Sequence, residues 1–259
     1  MRKIIIIGLV TASASLGGLA FLSSRQPTNS SGQPTAVAET SPAAPINDAP
    51  PAKPVAPVQS LLNKRLHSTT EPTSLWVITN RQLPLAKGYT PDNLRSPAVN
   101  LRLAATNEQM QIRGDAAEAL EKLFAGAEQA GLRMTLSSAY RSEALQAQFY
   151  NSYVARDGVA KADTYSARPG TSEHQTGLAA DIIPRNDACH LEICFGDLAE
   201  GKWLAANAYK FGFTVRYPLG KEAVTGYSYE PWHIRFVGTA LAAELHQSGQ
   251  TMEEFFTIQ

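Results

Sequence analysis

The chain has 259 residues, with 23 lysines and arginines against 23 aspartates and glutamates, so its formal net charge is zero. That balance argues against a nucleic-acid binder driven by phosphate neutralisation. The length allows one or two domains, but the first quarter is unfit to build a core, which leaves one.

Met1-Arg2-Lys3 precedes an apolar stretch from Ile4 to Leu22. Positive charge before a hydrophobic run reads as a signal peptide or a membrane anchor over residues 1–24. The run is long enough to span a bilayer as a helix. No Ala-x-Ala site stands clearly at its end, and no cysteine follows that would make a lipoprotein anchor. Residues 25–70 are rich in Pro, Ala, Ser and Thr and carry almost no aromatic side chains until the folded part is near. Such a segment cannot bury enough apolar surface to fold and reads as a flexible linker. Its end grades into the folded part, with a short helical piece at Leu61-Leu62-Asn63-Lys64.

The domain expected over 71–259 is α+β, a small antiparallel sheet flanked by helices. Leu75 to Thr79 reads as a strand or extended segment, and Pro84, Gly88, Pro91 and Pro97 punctuate a surface passage after it. Asp115 to Ala130 is an amphipathic helix, with Ala116, Leu120, Leu123, Phe124 and Ala127 on its inner face, Asp115 as N-cap and Gly131 as the stop. Leu132 to Ser138 alternates as a strand. Ser142 caps a second helix from Glu143 to about Ala155. Gly177 to Ile183 has strand length and composition. Gly196 to Tyr209 reads as a helix with Trp203, Leu204 and Ala208 inward, and Phe211 to Tyr217 as a strand. Tyr229 to Phe236 follows as another strand, Gly238 to His246 as a helix, and Met252 to Phe256 as a short terminal one. His246 is expected to be exposed.

Two stretches carry the chemistry. The first is Ser172-Glu173-His174-Gln175-Thr176-Gly177-Leu178-Ala179-Ala180-Asp181, and the second is Glu230-Pro231-Trp232-His233. Asp181 lies in an apolar run, where a carboxylate is costly to bury unless something compensates its charge. A divalent cation would do so. Gly177 permits a tight reversal that brings His174 back toward Asp181. Strict strand alternation would put Glu230 and His233 on opposite faces. Pro231 makes a regular ladder unlikely there, so a bend can turn both toward one centre. Two imidazoles, one buried carboxylate and one further carboxylate suit a catalytic zinc site, with three protein ligands, an open position and a base beside it. A single histidine ahead of a strand is more commonly structural; the combination argues for the metal.

Cys189 and Cys194 flank four residues that include His190. In an exported protein a close pair forms a disulfide around a small loop. The rival is a second metal site with His190, for which no fourth ligand is evident. Neither Ser-x-x-Lys nor Gly-x-Ser-x-Gly occurs, so the serine-nucleophile routes lack their signature. The absence of His-Glu-x-x-His excludes the helix-borne zinc site.

The chain carries Ser-x-His-x-x-Gly-x-Ala-x-Asp, with Ala179 at the small-residue position, followed by Glu-x-Trp-His, and nothing departs at a metal or base position. It resembles the VanY-like D-alanyl-D-alanine carboxypeptidases of the lysostaphin, D-Ala-D-Ala and hedgehog-type metallopeptidase group. The resemblance takes in Ser138-Ala139-Tyr140-Arg141-Ser142, Gln146 and Phe149-Tyr150, and runs from about Val77 to Phe236. It implies Zn2+ held by His174, Asp181 and His233, with Glu230 as general base. Arg141 would clamp a substrate carboxylate, while Gln146, Ser172 and Trp232 would contact peptide. The implied reaction removes the C-terminal D-alanine of peptidoglycan stem peptides, outside the cytoplasm, by a monomer held or exported through its N-terminal segment. Rival readings are an L,D-carboxypeptidase, an endopeptidase, or a zinc-bearing module without catalysis.

Overall fold

The computed structural model describes residues 62–258. The expected signal or anchor over 1–24, and the linker over 25–70 as far as residue 61, lie outside the described residues. Among the described residues no helix is long and apolar enough to cross a membrane.

Asn63 to Leu66 forms a turn rather than the expected helical piece, closed by Leu66 N–H donating to the Asn63 carbonyl at 3.0 Å. The Asn63 side chain accepts from the Arg65 N–H at 3.0 Å. Asparagine favours this local bonding over helix continuation.

The centre is a four-stranded antiparallel sheet built from β3 (Met134–Ser138), β4 (Ala179–Pro184), β5 (Phe213–Tyr217) and β6 (Glu230–Phe236), in the order β3-β4-β6-β5. A two-residue pair, β1 (Leu94–Arg95) with β2 (Ile112–Arg113), stands apart from it. Every residue of β3 and β4 is buried, which agrees with the apolar run around Asp181.

Helix α1 (Gly114–Gln129) packs Ala116, Ala117, Leu120, Leu123 and Ala127 into the core. It begins one residue earlier than expected, after extended Arg113, and Asp115 falls in its first turn rather than at the cap. An acid there still complements the helix dipole. Gly126 of α1 admits the Phe211 ring, since a Cβ would stand 2.7 Å from its Cζ.

Helix α2 (Glu143–Asp157) starts at the expected cap, where Ser142 Oγ accepts from the Leu145 N–H at 3.2 Å. A short α3 (Val159–Tyr165) follows it. Helix α4 (Ala199–Asn207) continues as a 3-10 turn to Phe211, and α5 (Glu222–Thr225) is one turn.

The last two helices, α6 (Thr239–Ser248) and α7 (Met252–Phe256), form a second apolar cluster with the segment from Trp76 to Ile78. That segment is buried but joins no sheet, and it begins in a turn at Leu75 and Trp76, closed by the Val77 N–H donating to the Ser74 carbonyl at 3.4 Å, rather than as the expected strand or extended segment. Trp76 Nε1 donates to the Val237 carbonyl at 2.9 Å, and Arg235 donates to the Leu75 and Val77 carbonyls at 3.0 and 2.8 Å. A side chain thus satisfies the backbone that a ladder would otherwise serve. His246 is exposed and stacks on Tyr209, their ring centroids 3.9 Å apart.

Two irregularities shape the sheet. Leu136 pairs with Ile182 but Ser138 with Asp181, so β3 carries one extra residue. Val215 pairs with Ile234 but Tyr217 with Glu230, so β6 carries two extra residues. Bulges of this kind re-aim side chains.

Candidate metal centre

Asp181 sits mid-sheet, with Ser138 opposite it on β3 and His233 opposite it on β6. His174 enters from a 3-10 turn, Glu173–Thr176, that ends at Gly177 with φ +67°. The Gly177 N–H donates to the His174 carbonyl, and a Cβ on Gly177 would stand 3.0 to 3.2 Å from Pro91, Leu94 and Arg113. Glycine is therefore demanded twice, by conformation and by space. The extra residues of β6 resolve the alternation problem: Glu230 and His233, three apart, both reach the cleft.

One ligand atom from each of His174, Asp181 and His233 lies within 4.8 Å of the others, and all three side chains are buried. His174 Nε2 is 3.3 Å from Asp181 Oδ2, and His233 Nδ1 is 3.0 Å from Asp181 Oδ1. Tetrahedral ligands at ~2.1 Å from zinc stand ~3.4 Å from one another, so the two distances to Asp181 fall near that spacing, and the 4.8 Å limit keeps both imidazoles within reach of one ion after a small adjustment. Two nitrogens and one carboxylate oxygen also match zinc's donor preference. His174 Nδ1 donates to the Ala139 carbonyl at 2.5 Å, which leaves Nε2 for the centre. Glu230 Oε2 lies 3.9 Å from His233 Nδ1.

Arg141 stands at the rim, its Nη2 3.9 Å from Asp181 Oδ2. It donates to Gln146 Oε1 at 2.9 Å and to Ser138 Oγ at 3.4 Å, while its Nε is buried without a partner. Ser138 Oγ in turn donates to Asp181 Oδ2 at 2.5 Å.

Burial opposes ionisation of Asp181, but His174 and His233 hold its carboxyl well below the usual range. Glu230 is pushed up to about 7 by burial, reinforced by Asp181 and opposed by His233. A carboxyl poised there suits proton transfer near neutral pH.

A cavity of about 750 Å³ opens over this centre, a volume suited to a short peptide. Ser172 and Trp232 line it. Gln146 does not line it. It is buried and spends its amide on Arg141, Ser166 and the Ala167 carbonyl, so it braces the arginine instead of reaching peptide.

Cys189 and Cys194 form a disulfide, with Cα atoms 5.6 Å apart, and Leu191 to Cys194 make one wall of the cavity. His190 engages Ser137 Oγ at 2.9 Å and Asp187 Oδ1 at 3.0 Å, so the rival metal set is not assembled.

One residue went unread within the motif. Glu173 is buried behind His233, and its Oε1 accepts from Arg216 Nε and Arg235 Nη1, each at 2.7 Å. Arg216 also makes a two-pronged pair with Glu253 of α7. The available signal was an arginine set between apolar or aromatic neighbours in each of two strands, Arg216 between Val215 and Tyr217 in β5 and Arg235 between Ile234 and Phe236 in β6.

An aspartate and a histidine from adjacent strands, a second histidine from a turn, a glutamate beside them and a peptide-sized cavity define a metallopeptidase that presents its ligands from a sheet and a turn. The comparisons narrow this. The family model for VanY, D-alanyl-D-alanine carboxypeptidase, matches residues 109–239. YodJ of Bacillus subtilis (strain 168) is 39% identical over 191 residues, which cover 74% of this chain and 70% of that protein. The LdcB LD-carboxypeptidase structure, which bears on peptidoglycan recognition, is 40% identical with a TM-score of 0.69, over 72% of this chain and 87% of that one. A glutamate-to-alanine mutant of the vancomycin-resistance D,D-pentapeptidase VanY, in complex with Zn(II), is 32% identical with a TM-score of 0.58, over 71% and 99%. The chain belongs to the VanY D-alanyl-D-alanine carboxypeptidase family.

Proposed function

We propose that this carboxypeptidase uses Zn2+ to remove the C-terminal D-alanine from peptidoglycan stem peptides ending in D-Ala-D-Ala. The observation that carries the reading is the buried convergence of His174, Asp181 and His233 beside Glu230. These three side chains would hold the ion. When bound, it supplies Lewis acidity to the attacked carbonyl and acidifies the attacking water. Glu230 accepts that water's proton and returns one to the leaving amine. Arg141 offers its guanidinium to the terminal carboxylate, and the unpartnered Nε supports that role. Ser172 and Trp232 flank the peptide. The site works outside the cytoplasm, and residues 1–24 serve as signal or anchor for a monomer.

The higher similarity to LdcB favours a second reading, an L,D cut that removes D-alanine from tetrapeptides. Defined penta- and tetrapeptides incubated with zinc-loaded protein, followed by mass spectrometry, separate the two. Loss of one alanine from the pentapeptide is expected. Cleavage of the tetrapeptide alone would move the assignment to L,D, and two intact peptides would overturn carboxypeptidase action on this substrate.

A further inference from the structure

Two buried polar atoms at this centre have no hydrogen-bond partner: Glu173 Oε2 and His233 Nε2. They lie 3.5 Å apart. A buried polar group without a partner is destabilising, so a pair of orphans in mutual reach calls for an explanation.

Both ends of the arrangement are fixed. Glu173 Oε1 already takes one donor from Arg216 and one from Arg235, so the carboxylate cannot rotate away without breaking both bonds. Arg216 and Arg235 are themselves fully buried, tied to Glu253 and to the Leu75 and Val77 carbonyls. On the other side, His233 Nδ1 faces Asp181 Oδ1 at 3.0 Å, on the side where an ion would sit. His174 has the same layout, with one ring nitrogen on a fixed acceptor, the Ala139 carbonyl, and the other on the centre.

We infer that Glu173 is a positioning residue for the metal: its Oε2 accepts the Nε2–H of His233, which fixes the tautomer that leaves Nδ1 free to ligate. This rests on the zinc reading above and adds a residue to it. The 3.5 Å gap is long for a hydrogen bond, and a small tilt of the imidazole toward the carboxylate closes it. Acceptors behind metal-ligating histidines set ring orientation, and their loss typically weakens metal binding ~10–100-fold.

The test measures the zinc Kd of the full chain by chelator competition, without reference to turnover. Glu173→Gln keeps the volume. Its carbonyl oxygen must serve the two arginines, which turns an NH2 donor toward His233 Nε2. Zinc Kd should rise about 10–100-fold. Glu173→Asp, which restores an acceptor, should recover part of that loss. Glu253→Gln strips Arg216 of a carboxylate partner without touching His233, and should hold zinc within about twofold of wild type.

The inference is overturned if Glu173→Gln keeps wild-type zinc affinity, or if Glu253→Gln weakens zinc as much as Glu173→Gln does. Should Glu173→Gln not fold, 15N chemical shifts of the histidine rings in the zinc-loaded wild type decide. Protonated Nε2 with ion-bound Nδ1 at His233 supports the assignment, and the reverse refutes it. Wild-type protein that binds no zinc at 1:1 stoichiometry would instead remove the metal reading itself.

Discussion

His233 divides two buried charge clusters of opposite character. Behind it, Glu173 and Glu253 meet Arg216 and Arg235, two carboxylates against two guanidinium groups, with Arg216 joined to both acids. In front of it, Asp181 and Glu230 face a single guanidinium, Arg141, at 3.9 Å from the nearer acid. The rear cluster is matched by arginines within the protein and closed to solvent, while the front, where two acids meet one arginine, opens on the cavity. A chain that balances one set of buried acids with arginines, and sets imidazoles beside the adjacent acids instead, has arranged that second set as donors for a cation. The same two chemistries a few ångströms apart therefore mark scaffold on one side and site on the other.

The sharpest way to break this contrast is Asp181→Asn. Zinc stoichiometry should fall to near zero and hydrolysis by at least ~10⁴-fold, since Lewis acidity and water activation are lost together; full zinc occupancy by mass spectrometry would refute the ligand assignment. Glu230→Gln comes next. It should retain zinc but lose ~10²–10⁴-fold in kcat, the usual worth of a general base, and unchanged turnover would remove Glu230 from that role. On the rear side the expected loss is of stability. Arg216→Met leaves Glu173 and Glu253 short of a partner and should cost about 3–5 kcal/mol in urea unfolding of the metal-free protein. A cost below about 1 kcal/mol would mean the rear cluster is not the scaffold described.

The smallest effect is in pH. Glu230 must be ionised to accept a proton, and its carboxyl is raised to about 7 by burial. A base whose value is raised is lost as pH falls, so kcat/KM should decline on the acid side as the Glu230 carboxyl takes up its proton. A profile flat from about pH 5 to 8 would contradict this.

Much of the front cluster was legible because each residue broke a local rule. Asp181 stood in an apolar run, His174 preceded a glycine made for reversal, and Pro231 interrupted a strand. The rear cluster broke rules too, with arginines inside β5 and β6, yet nothing local tied Arg216 to Glu173, 43 residues away, or Arg235 to the same acid, 62 residues away. The bulge that aims Glu230 depends on strand register, which pattern alone does not fix. Gln146 was misplaced for a similar reason. Its position one turn into α2 was right, but its hydrogen bonds depend on where residues 166 and 167 pass. The short α7 was readable from composition, but its charge pairing was not.

That pairing has a consequence for the far end of the polypeptide. Glu253 lies within the last seven residues of the sequence, yet it grips the arginine that steadies the floor beneath the catalytic cleft. A premature stop codon that spared every residue of the cleft would still strip that support away. Clipping the tail should therefore cost the fold its stability rather than the centre its zinc.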